Sequence, residues 1–187
     1  MLFNSLDEIF THLDTVRGEL TGRITGLDDT ELSLRNNGEG WNPQELAEHL
    51  SMVERSVTGV VERLLAKSEE LNISARADGR IEPPVKFPSA VRDPERGKIE
   101  APERIRPAGS VPVDESLHSL NRSREHIKSL RPRMELVDLS QAKFPHPAMG
   151  EIDLYQWLLF IAEHEARHLT QIENILKSGS GSSASAA

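Results

Sequence analysis

Apolar residues recur at intervals of three and four positions in four stretches of this chain, which is the pattern of amphipathic α-helices. The stretches cover residues 5–25, 42–70, 114–130 and 154–177. In each stretch the apolar positions line up as one stripe, so every helix has a face to bury against the others. The pattern therefore predicts four long helices around a shared core.

Local start and stop signals place the ends of these helices. Ser5, with Glu8 three residues later, forms a capping-box pattern before the first helix. Asn42, Pro43 and Glu45 together form the clearest start signal of the chain, before the second helix. The other signals are Asp153 as a cap for the fourth helix, Arg131-Pro132 as the end of the third, and Gly179 just beyond the fourth.

The segment between the second and third helices, residues 71–112, has no helical periodicity and contains seven of the chain's 11 prolines. Proline cannot continue a helix, and connections of this length in compact domains are usually functional or disordered. Because apolar residues are scattered through it, we expect it to pack across the bundle and to form part of a pocket wall or of a homodimer contact. Phe87 and Ile105 are the expected anchors, and Val91 and Ile99 are further apolar positions. A mobile surface loop is the alternative.

These elements predict an all-α fold, a four-helix bundle with one long Pro-rich crossover between helices two and three. At 187 residues the chain fits a single domain, which we place at residues 1–178. The Gly-, Ser- and Ala-rich tail, residues 179–187, is predicted to be disordered. Residues 27–32 are expected to form a short turn of helix, and residues 144–150 a rigid, turn-rich loop.

Composition restricts the function mainly by exclusion. The net charge of −8 and the pI of about 5.4 argue against a general nucleic-acid or anionic-membrane surface. No stretch could span a bilayer, and the acidic N-terminus does not resemble a signal peptide, so we expect a cytoplasmic protein. The chain has no cysteine. A metal site must therefore use His, Asp or Glu, and any thiol nucleophile must arrive as a small molecule.

The most informative chemistry lies in the fourth helix, where residues 164–168 are HEARH. Two histidines four positions apart lie about 40° apart around a helix and about 6 Å along it, so His164 and His168 can reach one ion. The apolar stripe passes through both, which directs them toward the core. The spacing also matches the zincin motif, but the residues after His168 offer no third ligand beyond the helix. A third ligand must come from upstream.

His49 is the upstream histidine that falls on an apolar stripe, near the start of the second helix. Three imidazoles leave a metal ion with open positions, as in catalytic sites. The alternative is that each ring is an ordinary buried histidine, bonded to a carbonyl or a carboxylate. A di-iron carboxylate site would need a second Glu-x-x-His motif besides Glu165-x-x-His168, and the sequence shows none.

Two segments resemble the motifs of the DinB/YfiT-like superfamily. Residues 41–50 are WNPQELAEHL, and residues 146–150 are HPAMG, followed at 157–172 by WLLFIAEHEARHLTQI. The resemblance covers most of the chain to about Lys177. It implies a four-helix bundle with a long crossover and a divalent metal held by His49, His164 and His168.

The same resemblance suggests a function. Characterised relatives include thiol-dependent S-transferases and isomerases that use bacillithiol, mycothiol or glutathione, whereas many others have no assigned reaction. We therefore expect a zinc or nickel site, with iron as a further candidate, that activates a low-molecular-weight thiol or a water in a transferase or hydrolase acting on a small molecule. A homodimer is expected. The alternative is a non-catalytic, metal-binding stress-response or dimerisation module.

Other residues near the histidines have open roles. Glu165 is either a general base beside the metal or a salt-bridge partner of Arg167 or Arg124 on a solvated face. Glu48 and Gln171 are candidates to support the metal-binding rings by hydrogen bonds. His146 lies either at the mouth of the pocket or on an exposed loop.

Overall fold

The computed structural model describes residues 1–36, 38–88 and 101–183, and for residues 180–183 it describes the backbone alone. The described helices are α1 (Leu6–Thr25), α2 (Asp29–Ser33), α3 (Pro43–Leu71), α4 (Val113–Met134) and α5 (Leu154–Ser183). The four long helices, α1, α3, α4 and α5, are the predicted ones, and α2 is the predicted short turn. The four-helix bundle is thus confirmed.

Two small antiparallel strand pairs accompany the bundle, and neither was predicted. Strand β1 (Leu2–Ser5) pairs with β2 (Arg80–Lys86), and β3 (Lys143–His146) pairs with β4 (Gly150–Asp153). The connection predicted to be irregular therefore contains one strand in its first part, and the predicted loop at residues 144–150 is a hairpin. The prolines in these short strands do not prevent pairing, because edge strands tolerate a missing N–H.

The core forms where the helices bury their predicted stripes. Helix α1 packs on α5, and α3 packs on both α4 and α5. Ile9, Leu13, Leu20, Leu46 and Ile127 are among the fully buried side chains. None of the helices in the described ranges is both long and apolar enough to cross a lipid bilayer.

The helix starts largely follow the predicted caps. The Asn42 side chain accepts from the Glu45 N–H, and the Glu45 carboxylate accepts from the Asn42 N–H. Asp153 and Gln156 make the same reciprocal pair before α5. Ser5 accepts from the Glu8 N–H, but Glu8 itself accepts from the Asn4 N–H, so that capping box is only half formed.

Two predicted helix ends are wrong. Helix α4 continues past Pro132 to Met134, because Pro132 lies in the last turn, where few hydrogen bonds are lost, and Met134 is fully buried. Helix α5 passes through Gly179 to Ser183. A Cβ at Gly179 would lie 2.8 Å from Leu34 Cδ1, so glycine lets the helix continue against that side chain. The predicted disordered tail is thus wrong as far as Ser183, and residues 184–187 lie outside the described residues.

The crossover packs against the bundle as expected. Phe87 is 4% exposed and belongs to the main core, and Ile105, at the end of the 3-10 turn Glu103–Ile105, packs against the same core. The buried Glu48 carboxylate accepts hydrogen bonds from the N–H groups of Ala108 and Gly109. These contacts confirm Phe87 and Ile105 as anchors, whereas Val91 and Ile99 lie outside the described residues.

Candidate metal centre

The bundle brings the three predicted histidines together in its core. His49 lies in the second turn of α3, and His164 and His168 lie on the facing side of α5. Each offers one ring nitrogen, and these nitrogens all lie within 4.8 Å of one another. The Nε2 atoms of His164 and His168 are 3.1 Å apart. In residues 1–36, 38–88 and 101–183, no fourth His, Asp or Glu joins the group.

Hydrogen bonds on the far side of two rings orient the nitrogens that face the other histidines. His49 Nδ1 lies 2.7 Å from the carbonyl oxygen of Ile105, and only a protonated Nδ1 can donate to it. His168 Nδ1 lies 3.0 Å from Gln171 Oε1. In the neutral rings these contacts leave both Nε2 atoms unprotonated, which is the arrangement that metal-binding histidines use. The crossover thus orients the His49 ring through Ile105, and Gln171 supports the His168 ring by a hydrogen bond, as expected of it.

Burial keeps the three rings neutral. It lowers the pKa of His49 and brings the pKa of His168 to about 3. It also lowers the pKa of His164 well below its usual value, and the nearby His168, His49 and Arg167 act in the same direction. A neutral imidazole has the lone pair that a metal ion needs. The donor set therefore fits a divalent ion such as zinc, nickel or iron.

Aromatic rings flank the three histidines on two sides. The Trp41 ring lies 4.7 Å from the His49 ring, and Phe160 stacks on His164 at 5.2 Å between centroids. His146, on β3, packs on Phe160 at 4.5 Å. His49 and His168 are buried, whereas His164 is partly exposed. Of the three rings, His164 is therefore the most accessible to solvent.

His146 is neither a ligand nor a free loop residue. Its Nδ1 accepts a hydrogen bond from the Ala148 N–H at 3.1 Å, so in the neutral ring the proton sits on Nε2. The ring is half-buried between Trp157 and Phe160. The ring is therefore not on an exposed loop, and a role at the pocket mouth stays a prediction.

A buried cluster of four charges lies beside the histidines, and the sequence reasoning missed it as a cluster. Its members, called here the charge tetrad, are Arg17 on α1, Glu54 on α3, Arg124 on α4 and Glu165 on α5. All four are at most 7% exposed. Glu165 Oε1 accepts from Arg17 Nε at 3.1 Å and from Arg124 Nη2 at 3.3 Å. Arg17 also pairs with Glu54.

These contacts decide between the two roles considered for Glu165. One of its oxygens is bonded to both arginines of the tetrad, so the Arg124 pairing is correct, although it is buried and not on a solvated face. The proposed general-base role loses its geometric support, because Glu165 Oε1 is already engaged by two guanidinium groups inside the buried tetrad. Glu48 is likewise engaged elsewhere, with the crossover backbone.

A signal for the tetrad was present in the sequence. Each of the four charged residues occupies an apolar-stripe position of its helix, three or four residues from buried apolar neighbours. Arg17, for example, follows Leu13 by four residues and precedes Leu20 by three. A charge at a core position must be paired, and the two signs balance across the four helices.

The charge tetrad predicts an unusual pH dependence of stability. Burial, followed by the Glu165 charge, raises the pKa of Glu54 to about 7, against the opposing effect of Arg17 and Arg124. The folded protein therefore holds a proton that the unfolded chain has released above its pKa of about 4.5. Below a pH of about 4.5 this proton makes its full contribution to the free energy of unfolding. That contribution is lost as the pH rises through about 7.

We expect the metal-free wild type to lose stability relative to Glu54→Gln between pH 5 and pH 8. The relative loss is at most about 3 kcal/mol, at roughly 1.4 kcal/mol per pKa unit. Urea unfolding of both proteins across that range measures it. Glu70→Gln, an exposed change on the same helix, is the control. If the difference in unfolding free energy between the wild type and Glu54→Gln does not change with pH, the prediction is contradicted.

Comparisons with known proteins agree with this architecture. Residues 12–172 match the DinB superfamily. The chain is similar to the uncharacterized protein YuaE of Bacillus subtilis (strain 168), with 24% identity over 160 residues, covering 85% of this chain and 91% of that protein. It also resembles the crystal structure of TT2238, a four-helix bundle protein, with a TM-score of 0.57 and 25% identity over 89% of this chain and 97% of that one.

Proposed function

The chain belongs to the DinB superfamily, and we propose that within it the protein is a metal-dependent enzyme acting on a small molecule. The reaction is transfer of a low-molecular-weight thiol or hydrolysis by water. The observation that supports this proposal is the set of side chains available to bind a metal ion. Three neutral imidazoles converge, and no fourth protein ligand joins them in the described part of the chain. Such a set leaves a coordination position for a reactant.

His49, His164 and His168 would hold the ion, and each has a fixed part in doing so. Ile105 and Gln171 hold two of the rings with Nε2 directed inward. A divalent ion at this position supplies Lewis acidity, which favours the deprotonated form of a thiol or water near neutral pH. Because the chain contains no cysteine, a reacting thiol has to come from solution.

The surroundings of the site suit an apolar or aromatic reactant with one polar group. Trp41 and Phe160 cover the sides of two histidines with apolar surface, which limits the access of water. His146 presents an Nε2–H at the same side as Phe160. We assign it the task of donating a hydrogen bond to the polar group of the reactant.

The competing function is a non-catalytic metal-binding module, and one observation favours it. The cavity that borders His164 has a volume of only about 10 Å³. Two of the three rings are buried. A closed metal site would stabilise the bundle without turning over a substrate.

Metal analysis combined with a transfer assay separates these functions. Purified protein is stripped with chelator, reloaded with zinc, nickel or ferrous iron, and incubated with a fluorogenic electrophile. Each sample contains glutathione, bacillithiol, mycothiol or no thiol, and a fluorogenic ester reports hydrolysis. We expect turnover only in metal-loaded protein and with a marked preference for one thiol or for water.

His168→Ala should lose both the metal and the turnover, whereas His118→Ala, an exposed change on α4, should keep both. Protein that binds one equivalent of metal but shows no metal-dependent turnover with any thiol or ester would contradict the enzyme proposal and favour the structural module. Failure to bind any of the three metals would contradict both functions.

A further inference from the structure

His164 differs from the other two histidines in how its ring is supported. Within the described residues, His49 and His168 each have a protein acceptor at Nδ1, but no protein acceptor is found at Nδ1 of His164. Its Nε2 faces His168 Nε2. A histidine that binds a metal through Nε2 carries its proton on Nδ1, and that N–H is almost always donated to a carboxylate, a carbonyl or a water.

The charge tetrad has unused acceptors nearby. Glu165 accepts hydrogen bonds from the arginines through Oε1, and Glu54 accepts one through Oε2. Glu54 Oε1 also lies 3.5 Å from Arg124 Nε, an ion-pair contact without a hydrogen bond. The other two oxygens, Glu54 Oε1 and Glu165 Oε2, are buried and accept no hydrogen bond within the described ranges. Glu54 and Glu165 are 3% and 2% exposed. Two such buried acceptors are costly to leave unsatisfied.

A small cavity joins these groups. It lies between α3 and α5 and is lined by Leu50, Val53, Glu54, Ile161, His164 and Glu165. Its volume of about 10 Å³ matches the room that one water molecule needs, and a buried water typically makes about three hydrogen bonds. Here one water can donate to Glu54 Oε1 and Glu165 Oε2 and accept from His164 Nδ1–H. Every group then has a partner.

We infer that this cavity holds one water that links His164 to the charge tetrad, so that Glu54 and Glu165 are positioning residues for the metal centre. This inference deepens the proposed function, because it assigns support for the third ligand. It also gives a physical reason for burying four charges beside three histidines. The tetrad supplies two fixed acceptors, and its arginines neutralise them, so the carboxylates do not compete as ligands.

A crystal structure of the wild-type protein at pH 8, above the pKa of Glu54, tests the water directly. We expect one ordered water within hydrogen-bond distance of Glu54 Oε1, Glu165 Oε2 and His164 Nδ1. Val53→Ile adds a methyl group to the cavity wall without changing any charge, and it should expel this water. Val57→Ile, one turn further along α3 and outside the cavity lining, should keep it. A wild-type cavity without water, or a water not bonded to His164, would overturn the inference.

Zinc affinity tests the positioning role. At pH 8, above the pKa of Glu54, zinc should bind about 10- to 100-fold more weakly to Glu54→Gln and to Val53→Ile than to wild type. Glu70→Gln and Val57→Ile should bind it normally. In zinc-loaded samples, the Nδ1–H signal of His164 should exchange faster in the first two variants, while the corresponding His49 and His168 signals stay unchanged. A merely structural role for the tetrad would not single out His164.

The results of these experiments test the inference and the proposed function separately. Unchanged zinc affinity and unchanged His164 exchange in both cavity variants would overturn the inference and leave the enzyme proposal standing. Wild-type protein that binds zinc but lacks turnover would contradict the enzyme proposal alone. If the wild type binds no zinc, the positioning role fails with the metal site. If Glu54→Gln does not fold, Val53→Ile still decides, because it leaves the tetrad intact.

Discussion

Replacing His168 with alanine should abolish the stabilisation of this protein by divalent metal. An ion that binds only the folded state stabilises it by mass action, by about 4 kcal/mol when its free concentration is a thousand times its dissociation constant. His168 contributes one of three converging nitrogens, and it shares the α5 pair with His164. With a single ligand left on α5, the variant should show the same stability with zinc and with chelator.

Urea unfolding with excess zinc and with excess chelator measures this difference. The wild type should unfold at clearly lower urea after chelation. His118→Ala is the matched control, because it removes an exposed imidazole from α4 and leaves the cluster intact. A His168→Ala protein that kept the full zinc effect would contradict the assignment, and so would a wild type whose bound metal has no effect on unfolding.

Replacing Arg124 with methionine should destabilise the bundle by about 3–5 kcal/mol, because it leaves two buried carboxylates with a single guanidinium partner, Arg17. Arg124 is 2% exposed. It donates to Glu165 Oε1 at 3.3 Å and to the Leu13 carbonyl oxygen at 2.6 Å, and so joins α4 to α5 and α1. The loss is a large fraction of the stability of a typical domain.

The measurement is urea unfolding of metal-free protein, which separates the tetrad from the metal. Arg122→Met removes an exposed guanidinium two residues earlier on α4 and should change stability by less than about 1 kcal/mol. Equal stability losses in the two variants would contradict a structural role for the buried tetrad. A small loss in Arg124→Met would contradict it as well.

The helices and the inward faces of the three clustered histidines were predictable from local pattern. Helix hydrogen bonds join residues four apart, so apolar periodicity and caps such as Asn42 and Asp153 act within a few residues. The spacing of His164 and His168 places both rings on one helix face by the same local geometry. His49 was placed on an inward face in this way, but its meeting with the α5 pair required the family resemblance and the bundle.

The tertiary structure alone decided which distant groups meet. Arg17 and Glu165 are separated by 148 positions in sequence. Each lies at a core-facing position of its helix, which indicates that its charge needs a partner but does not identify that partner. The strands depended on similar long-range pairing, since β1 finds β2 across the whole of α1 and α3. The passage of α5 through Gly179 depended on the closeness of Leu34.

The sequence by itself therefore determined which residues form helices, which faces point inward and which side chains could bind a metal. The tertiary structure determined that Glu165 is held by two arginines, that Ile105 orients His49, and that a water-sized cavity separates His164 from the charge tetrad. The physical reason is the sequence separation of the interacting residues. Backbone periodicity is set by neighbours along the chain, whereas ion pairs, strand pairing and cavities depend on residues that only folding brings together.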